Sequence, residues 1–362
     1  MESVFKYLVL GVFLTVIAVI GIVCNSLTLY ILHDKDVKLK RDFVQCLCAM
    51  TIYDNLFLVC AFFLFALPVL SVDYYQGAFN YIVPYLFPIT NTLMTCSCYM
   101  TVAVSLNRCF GTITAGRRGR SIPRIKNGYI QALIVLFVSA SINAPRWLEF
   151  GCCKYTYVMK NVTDDTGKIL EMNVTDNVMV IVNPIRDRFE YIRDYIVIAS
   201  NVLTLLLPMI LLIIAAALIY KEMARTANLT AGLLSDADET SRRRRNQSKT
   251  FMLIGIIFLF IFCRVGELLV SIYELAMMLK YETRVDFPES VKAITDVNHF
   301  LLVCNSSLNF AIYCKDVFFR QCLLKLIRAL RGNTRDSNST NSALTTSFTL
   351  KEIKPLSRES RA

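Results

Sequence analysis

Histidine is nearly missing from this chain: there are two in 362 residues, His33 and His299. No Gly-Xaa-Ser-Xaa-Gly, His-Glu-Xaa-Xaa-His or Gly-Lys-Ser/Thr sequence occurs either, so nucleophilic catalysis, metal-assisted hydrolysis and phosphate cradling have no constellation to rest on. An enzyme is not expected, nor a resident metal. Charge is also scarce, at 19% of residues against 55% hydrophobic, a balance that excludes soluble fold classes. The net charge is +11, yet the basic residues sit in short stretches between apolar runs. That placement serves membrane orientation and argues against nucleic acid as a partner. No small-residue cleavage site follows the first apolar run, which is therefore expected to be retained as an inserting helix.

What is abundant is long apolar sequence. Seven runs, at about residues 7–32, 43–70, 81–111, 123–145, 191–223, 249–279 and 288–314, each suffice to cross ~30 Å of hydrocarbon as a helix. The expected fold is an all-α membrane protein, a seven-helix bundle filling residues 1–331. Residues 316–330 alternate apolar and basic positions with helical spacing, which predicts a short amphipathic eighth helix on the inner leaflet. Cys322 within it is a candidate for palmitoylation or a small apolar residue on the buried face. Residues 332–362 are rich in Ser, Thr, Asn and Arg and predict a disordered tail.

Basic residues in the short connections set the orientation. Residues 33–42, 111–127 and 221–249 carry four, five and seven of them, against none in 69–83 and three in 280–292. The first group is expected in the cytoplasm, with the N-terminus outside and the C-terminus inside a multi-pass plasma-membrane protein. The long connection 146–190 carries the glycosylation sequons at Asn161 and Asn173, which make sense only if it faces outward.

Polar residues inside the runs call for protein neighbours, because lipid offers them no partner. Asn91, Thr95, Ser97, Thr101 and Ser105 form a seam along the third run, which is read as the centre of the bundle. Asn25, Asp54, Ser97, Asn305, Ser306 and Asn309 recur at mid-span and are expected either to converge on one water- or ion-filled cluster or to make separate interhelical hydrogen bonds.

The order of several short motifs then becomes specific. Gly21-Ile-Val-Cys-Asn25, Ala49-Met-Thr-Ile-Tyr-Asp54, Asn107-Arg108-Cys109, Leu-Leu-Pro208, Phe260-Ile-Phe-Cys263, Asn309-Phe-Ala-Ile-Tyr313 and Phe319-Arg320 resemble the rhodopsin-like G-protein-coupled receptors over residues 7–330. Tyr53-Asp-Asn-Leu-Phe-Leu, Asn143-Ala-Pro-Arg-Trp-Leu-Glu149 and the stretch from Cys304 to Cys314 resemble, more narrowly, the invertebrate FMRFamide-related neuropeptide receptors. The resemblance implies that Arg108 meets a heterotrimeric G protein when the sixth helix swings out, that Tyr313 steadies the open state, and that Asn309 links it to the Asp54 cluster. It also implies a sodium ion at Asp54, Ser97 and Asn309 that favours the inactive state. Pro208, Cys98 and Phe260 match a packing switch between the fifth, third and sixth helices. The tail cluster from Ser337 to Thr349 is a candidate for phosphorylation and, through it, for arrestin.

Some positions depart from the family pattern. Asn107 replaces the usual acid before the arginine, and no acid opens the sixth run, so Arg108 is expected to lack its restraint and basal signalling to be raised. Phe310 stands where the wider family has proline. Arg264 and Gly266 stand where related receptors carry tryptophan or another residue, and proline. Arg264 has two candidate partners, Glu267 by helical spacing and Asp54 at longer range; reaching Asp54, it would replace sodium. No cysteine lies between Cys60 and Cys96, so Cys152 and Cys153 lack the partner usual in the family. They are expected to stay reduced, to bridge each other under strain, or to pair with another chain.

In this architecture a ligand enters between the upper halves of the third, fifth, sixth and seventh helices. Candidate contacts are Thr90, Asn91, Met94, Ser271, Glu274, Thr295, Asp296 and His299. An amidated peptide ending in arginine and phenylalanine, the class implied by the resemblance, needs a carboxylate for its guanidinium. Asp296, Glu274, Glu267 and Glu149 are the acids available, with Glu267 alternatively serving Arg264 and Glu149 serving Arg146. A chemoreceptor of the same fold, sensing a small external molecule, is the other reading.

Overall fold

The computed structural model describes residues 2–33, 41–116, 125, 127–163, 169–182, 188–230, 236–281, 287–314 and 319–328. Arg108 lies within a helix, but its side chain is outside the described set, as are those of Cys152, Cys153, Asn161 and Asn173 and all of residues 332–362.

Among the described residues, seven long helical segments follow one another, at 2–32, 41–70, 78–116, 128–148, 191–230, 236–281 and 289–313, with a short helix Val72–Gln76 between the second and third. Among the described residues, five spans are long and apolar enough to cross a membrane: Val4–Leu32, Arg41–Leu70, Ala78–Asn107, Gly128–Leu148 and Tyr191–Lys221. The seventh falls outside that set, its hydropathy lowered by Lys292, Asp296, Asn298, Asn305, Ser306 and Ser307. The sixth starts at Asp236, ahead of the apolar run at 249, because its arginine-rich opening is itself good helix-forming sequence. The helix widens at Phe62–Ala66 and at Val202–Leu206. These two widenings stand just before a proline, Pro68 or Pro208, whose missing N–H cannot close the regular turn; similar wide turns at Tyr7–Phe13 and Tyr191–Ser200 have no adjacent proline.

The third helix is the axis. Thr95, Cys96, Ser97, Cys98, Met100, Thr101, Val102, Val104 and Ser105 are all buried, and the helix packs against the second, fourth and fifth. Outward faces carry exposed large apolar residues such as Tyr30, Leu133, Phe137, Ile210, Phe258 and Phe262, as expected of surfaces made for lipid. Gly21 lets the first helix lie against the seventh: a Cβ there would overlap the Ser307 side chain and Leu58.

Two features lie beyond the all-helical expectation or at its edge. Strands Phe150–Thr163 and Ile169–Val182 form an antiparallel hairpin in the long connection after the fourth helix. The fold is therefore a helix bundle with one two-stranded hairpin, favoured there by the Val, Tyr, Thr and Ile content of the segment. Residues 319–328 are helical, with Phe319 and Cys322 buried in one cluster with Ile312 and Tyr313.

Candidate functional site

Two charged centres occupy the bundle interior, and adjacent residues of the third helix serve them. Ser97 donates to Asp54 Oδ1 at 2.5 Å and Asn309 Nδ2 donates to Oδ2 at 2.9 Å. Ser306 faces the same carboxylate, and Asn25 Nδ2 donates to the Ser306 carbonyl at 3.1 Å. The first, second, third and seventh helices thus meet at one fully buried acid. A buried carboxylate is tolerable only if it is hydrogen-bonded or paired; here neutral donors hold it, and among the described residues no cation does. Asn25 Oδ1 and Ser307 Oγ are buried without hydrogen-bond partners. A carboxylate with hydroxyl and amide oxygens around it is a donor set that fits a small hard cation.

The second centre starts one residue on. Arg264 donates through Nη1 to Glu267 Oε2 and through Nη2 to Cys98 Sγ, both at 2.6 Å. Its guanidinium also lies 5.6 Å from the centroid of the Phe260 ring. Arg264 is 1% exposed and Glu267 24%. Of the two partners open to it, Arg264 takes Glu267, and it does not enter the Asp54 cluster: the i,i+3 spacing brings the acid onto the same face with no rearrangement of the bundle. Gly266 between them permits close approach of the seventh helix, since a Cβ would overlap the amide oxygen of Asn298.

Two further junctions flank these centres. At the end of the fourth helix, Arg146 pairs with Glu149 at 3.6 Å and donates to Ser200 Oγ at 3.0 Å, while Tyr191 donates to Glu149 at 3.1 Å. Glu149 is 1% exposed, so it is committed to the protein and not open to a ligand. Near Arg108, Asn107 Nδ2 donates to Gln131 Oε1 at 2.8 Å, and Tyr53 donates to the Ala132 carbonyl at 3.1 Å. The residue that replaces the usual acid therefore ties the third helix to the fourth.

A family model described as serpentine type 7TM GPCR chemoreceptor Srw matches residues 12–315. The chain belongs to this family of G-protein-coupled receptors. It is a multi-pass membrane protein of a family whose members are receptors and not enzymes. It is 24% identical over 316 residues to the FMRFamide receptor of Drosophila melanogaster, covering 85% of this chain and 51% of the fly protein; the chain thus spans about half the length of that relative. It is 23% identical over 347 residues to the probable G-protein coupled receptor frpr-1 of Caenorhabditis elegans, covering 90% of this chain and 80% of the worm protein.

The remaining candidate residues of the receptor sort by what they touch. Thr90, Asn91, Ser271 and Thr295 each donate to the carbonyl four residues back on their own helix, a bond that leaves oxygen lone pairs available. Met94 packs against the cluster that contains Phe57, Leu93 and Val303. His299 stacks on Phe65, centroids 4.3 Å apart, and its Nδ1 has no hydrogen-bond partner. Asp296 is partly buried and feels Lys6 of the first helix. Cys98 and Phe260 share an apolar cluster with Leu212, one turn beyond the buried Pro208. Tyr313 is buried with its hydroxyl unpartnered. Gln131, Tyr191, Asn298 and the Cys98 contact were not among the expected site residues; of these, only Gln131, a polar residue set in the apolar stretch Tyr129–Val138, gave a signal that could have marked it.

Proposed function

We propose that the receptor takes an extracellular amidated peptide of the arginine–phenylalanine type and passes the signal to a heterotrimeric G protein by outward movement of the sixth helix. The observation that carries this reading is a set of partly open carboxylates, Glu267, Glu274 and Asp296, on the sixth and seventh helices toward the end where those two helices are joined. Such acids suit a ligand guanidinium, and the likeness to the fly FMRFamide receptor supplies the peptide class. In the same reading the N-terminus and the hairpin with Asn161 and Asn173 face outward, and Arg108 and the tail face the cytoplasm. A sodium ion, held by Asp54, Ser97 and Asn309 with the Asn25 oxygen, favours the inactive arrangement.

The family model's description favours a second reading, a chemoreceptor for a small external molecule. Dose-response against a library of amidated peptides, in cells carrying a promiscuous G-protein readout, separates the two. A saturable response to peptides ending in arginine–phenylalanine amide is expected; silence to all of them, with response to a small organic molecule, would favour the second reading.

A further inference from the structure

We infer that Glu267 is the acid that receives the ligand's cationic group, and that in doing so it releases Arg264, a latch between the sixth and third helices. The ligand half rests on the peptide reading above; the latch half does not depend on which ligand binds.

The pair is asymmetric in a way that assigns the roles. Arg264 is sealed, at 1% exposure, whereas Glu267 keeps 24%, so only the acid can be approached from open space. Glu149 is already enclosed by Arg146 and Tyr191, and Asp296 lies a helix away, toward Lys6. Glu267 is the candidate acid whose capture has a mechanical consequence. The guanidinium of Arg264 spans from Glu267 on its own helix to Cys98 on the third, and its Nε has no partner. When a second cation takes the carboxylate, Arg264 becomes a buried charge without its counterion, a costly state that must relax. Asp54 is the acceptor within the bundle that holds no cation among the described residues, and Ser97, bound to it, is the neighbour of Cys98 in sequence. Arg264 leaves Cys98 and turns toward Asp54, which frees the sixth helix from the third. One cation enters and one is handed inward.

The experiment uses the full receptor in cells, with surface level measured by an epitope antibody and held equal. Without ligand, Arg264→Gln and the similarly sized, uncharged Arg264→Met should both raise signalling severalfold over wild type, and the swap of Arg264→Glu with Glu267→Arg should return it toward wild type. Ligand-free signalling equal to wild type in both single variants would overturn the latch. With ligand, two probes are compared: an amidated peptide ending in arginine–phenylalanine, and the same peptide with citrulline, neutral and nearly isosteric, for arginine. Because Glu267→Gln also loosens the latch, the test is the ratio of the two probes: Glu267→Gln should weaken the arginine peptide relative to the citrulline peptide by about a hundredfold compared with the same ratio in the wild type. Equal shifts for both peptides, or none, would overturn the ligand half while the peptide reading stands. A wild-type receptor at the surface that answers no amidated peptide removes both the peptide reading and the ligand half, and the ligand-free comparison then decides the latch alone.

Discussion

The two interior centres solve the same problem in opposite ways. At Asp54 one charge is kept in the bundle by neutral donors from two other helices, with oxygens to spare. At Arg264 the charge is held by a counterion one turn away and by a sulfur across the bundle. The first arrangement leaves room for an exchangeable cation, whereas the second supplies its own. Ser97 and Cys98, successive residues about 100° apart around the helix axis, keep the two centres separate. A buried acid and a buried base so near in sequence need not neutralise each other.

The comparison breaks most visibly where a counterion is removed outright. Glu267→Leu strands Arg264 and should lower stability by about 3 kcal/mol, read as thermal inactivation of the solubilised receptor or loss of surface expression; Asp54→Asn should cost much less, because Ser97 and Asn309 keep a partner. Similar losses for the two would erase the distinction between the centres. Gly266→Ala should cost about 2 kcal/mol by overpacking against Asn298, with part of the loss recovered in the double variant with Asn298→Ala. Sodium should sharpen the contrast: at ten times its Kd it stabilises the wild type by about 1.4 kcal/mol, an increment that vanishes in Asp54→Asn and persists in Arg264→Gln. Smallest is the uncharged junction, where Asn107→Ala should cost about 1 kcal/mol; Gln131→Ala should cost more, because it also removes the bonds of Gln131 with Cys46 and the Ile125 carbonyl, and the double variant should cost less than the sum of the two, since they share one bond.

Helix number and the polar line of the third helix were legible before any coordinates, because the membrane imposes them. An apolar run of sufficient length has one stable conformation in hydrocarbon, and mid-span polar residues must face protein. Asp54, Ser97 and Asn309 could be grouped for that reason. Glu149 could be tied to Arg146 by spacing alone. The hairpin at 150–182 was not anticipated, because no hydrocarbon constrains that segment and its alternation is imperfect. Gln131 stood out as a polar residue among apolar ones, but its pairing with Asn107 was hidden, since pairing between helices depends on their rotation about their own axes.

The amino-acid order by itself determined which long apolar runs become helices, which faces cannot meet lipid, and that Asp54 and Arg264 must find partners inside. Only the packed bundle decided that these charges stay apart, that Arg264 is sealed while Glu267 remains reachable, and that Cys98 is the contact across the gap. Hydrophobic length and local spacing are properties of the chain, whereas distances between groups many residues apart exist only once the helices have taken their rotations and crossing points against one another.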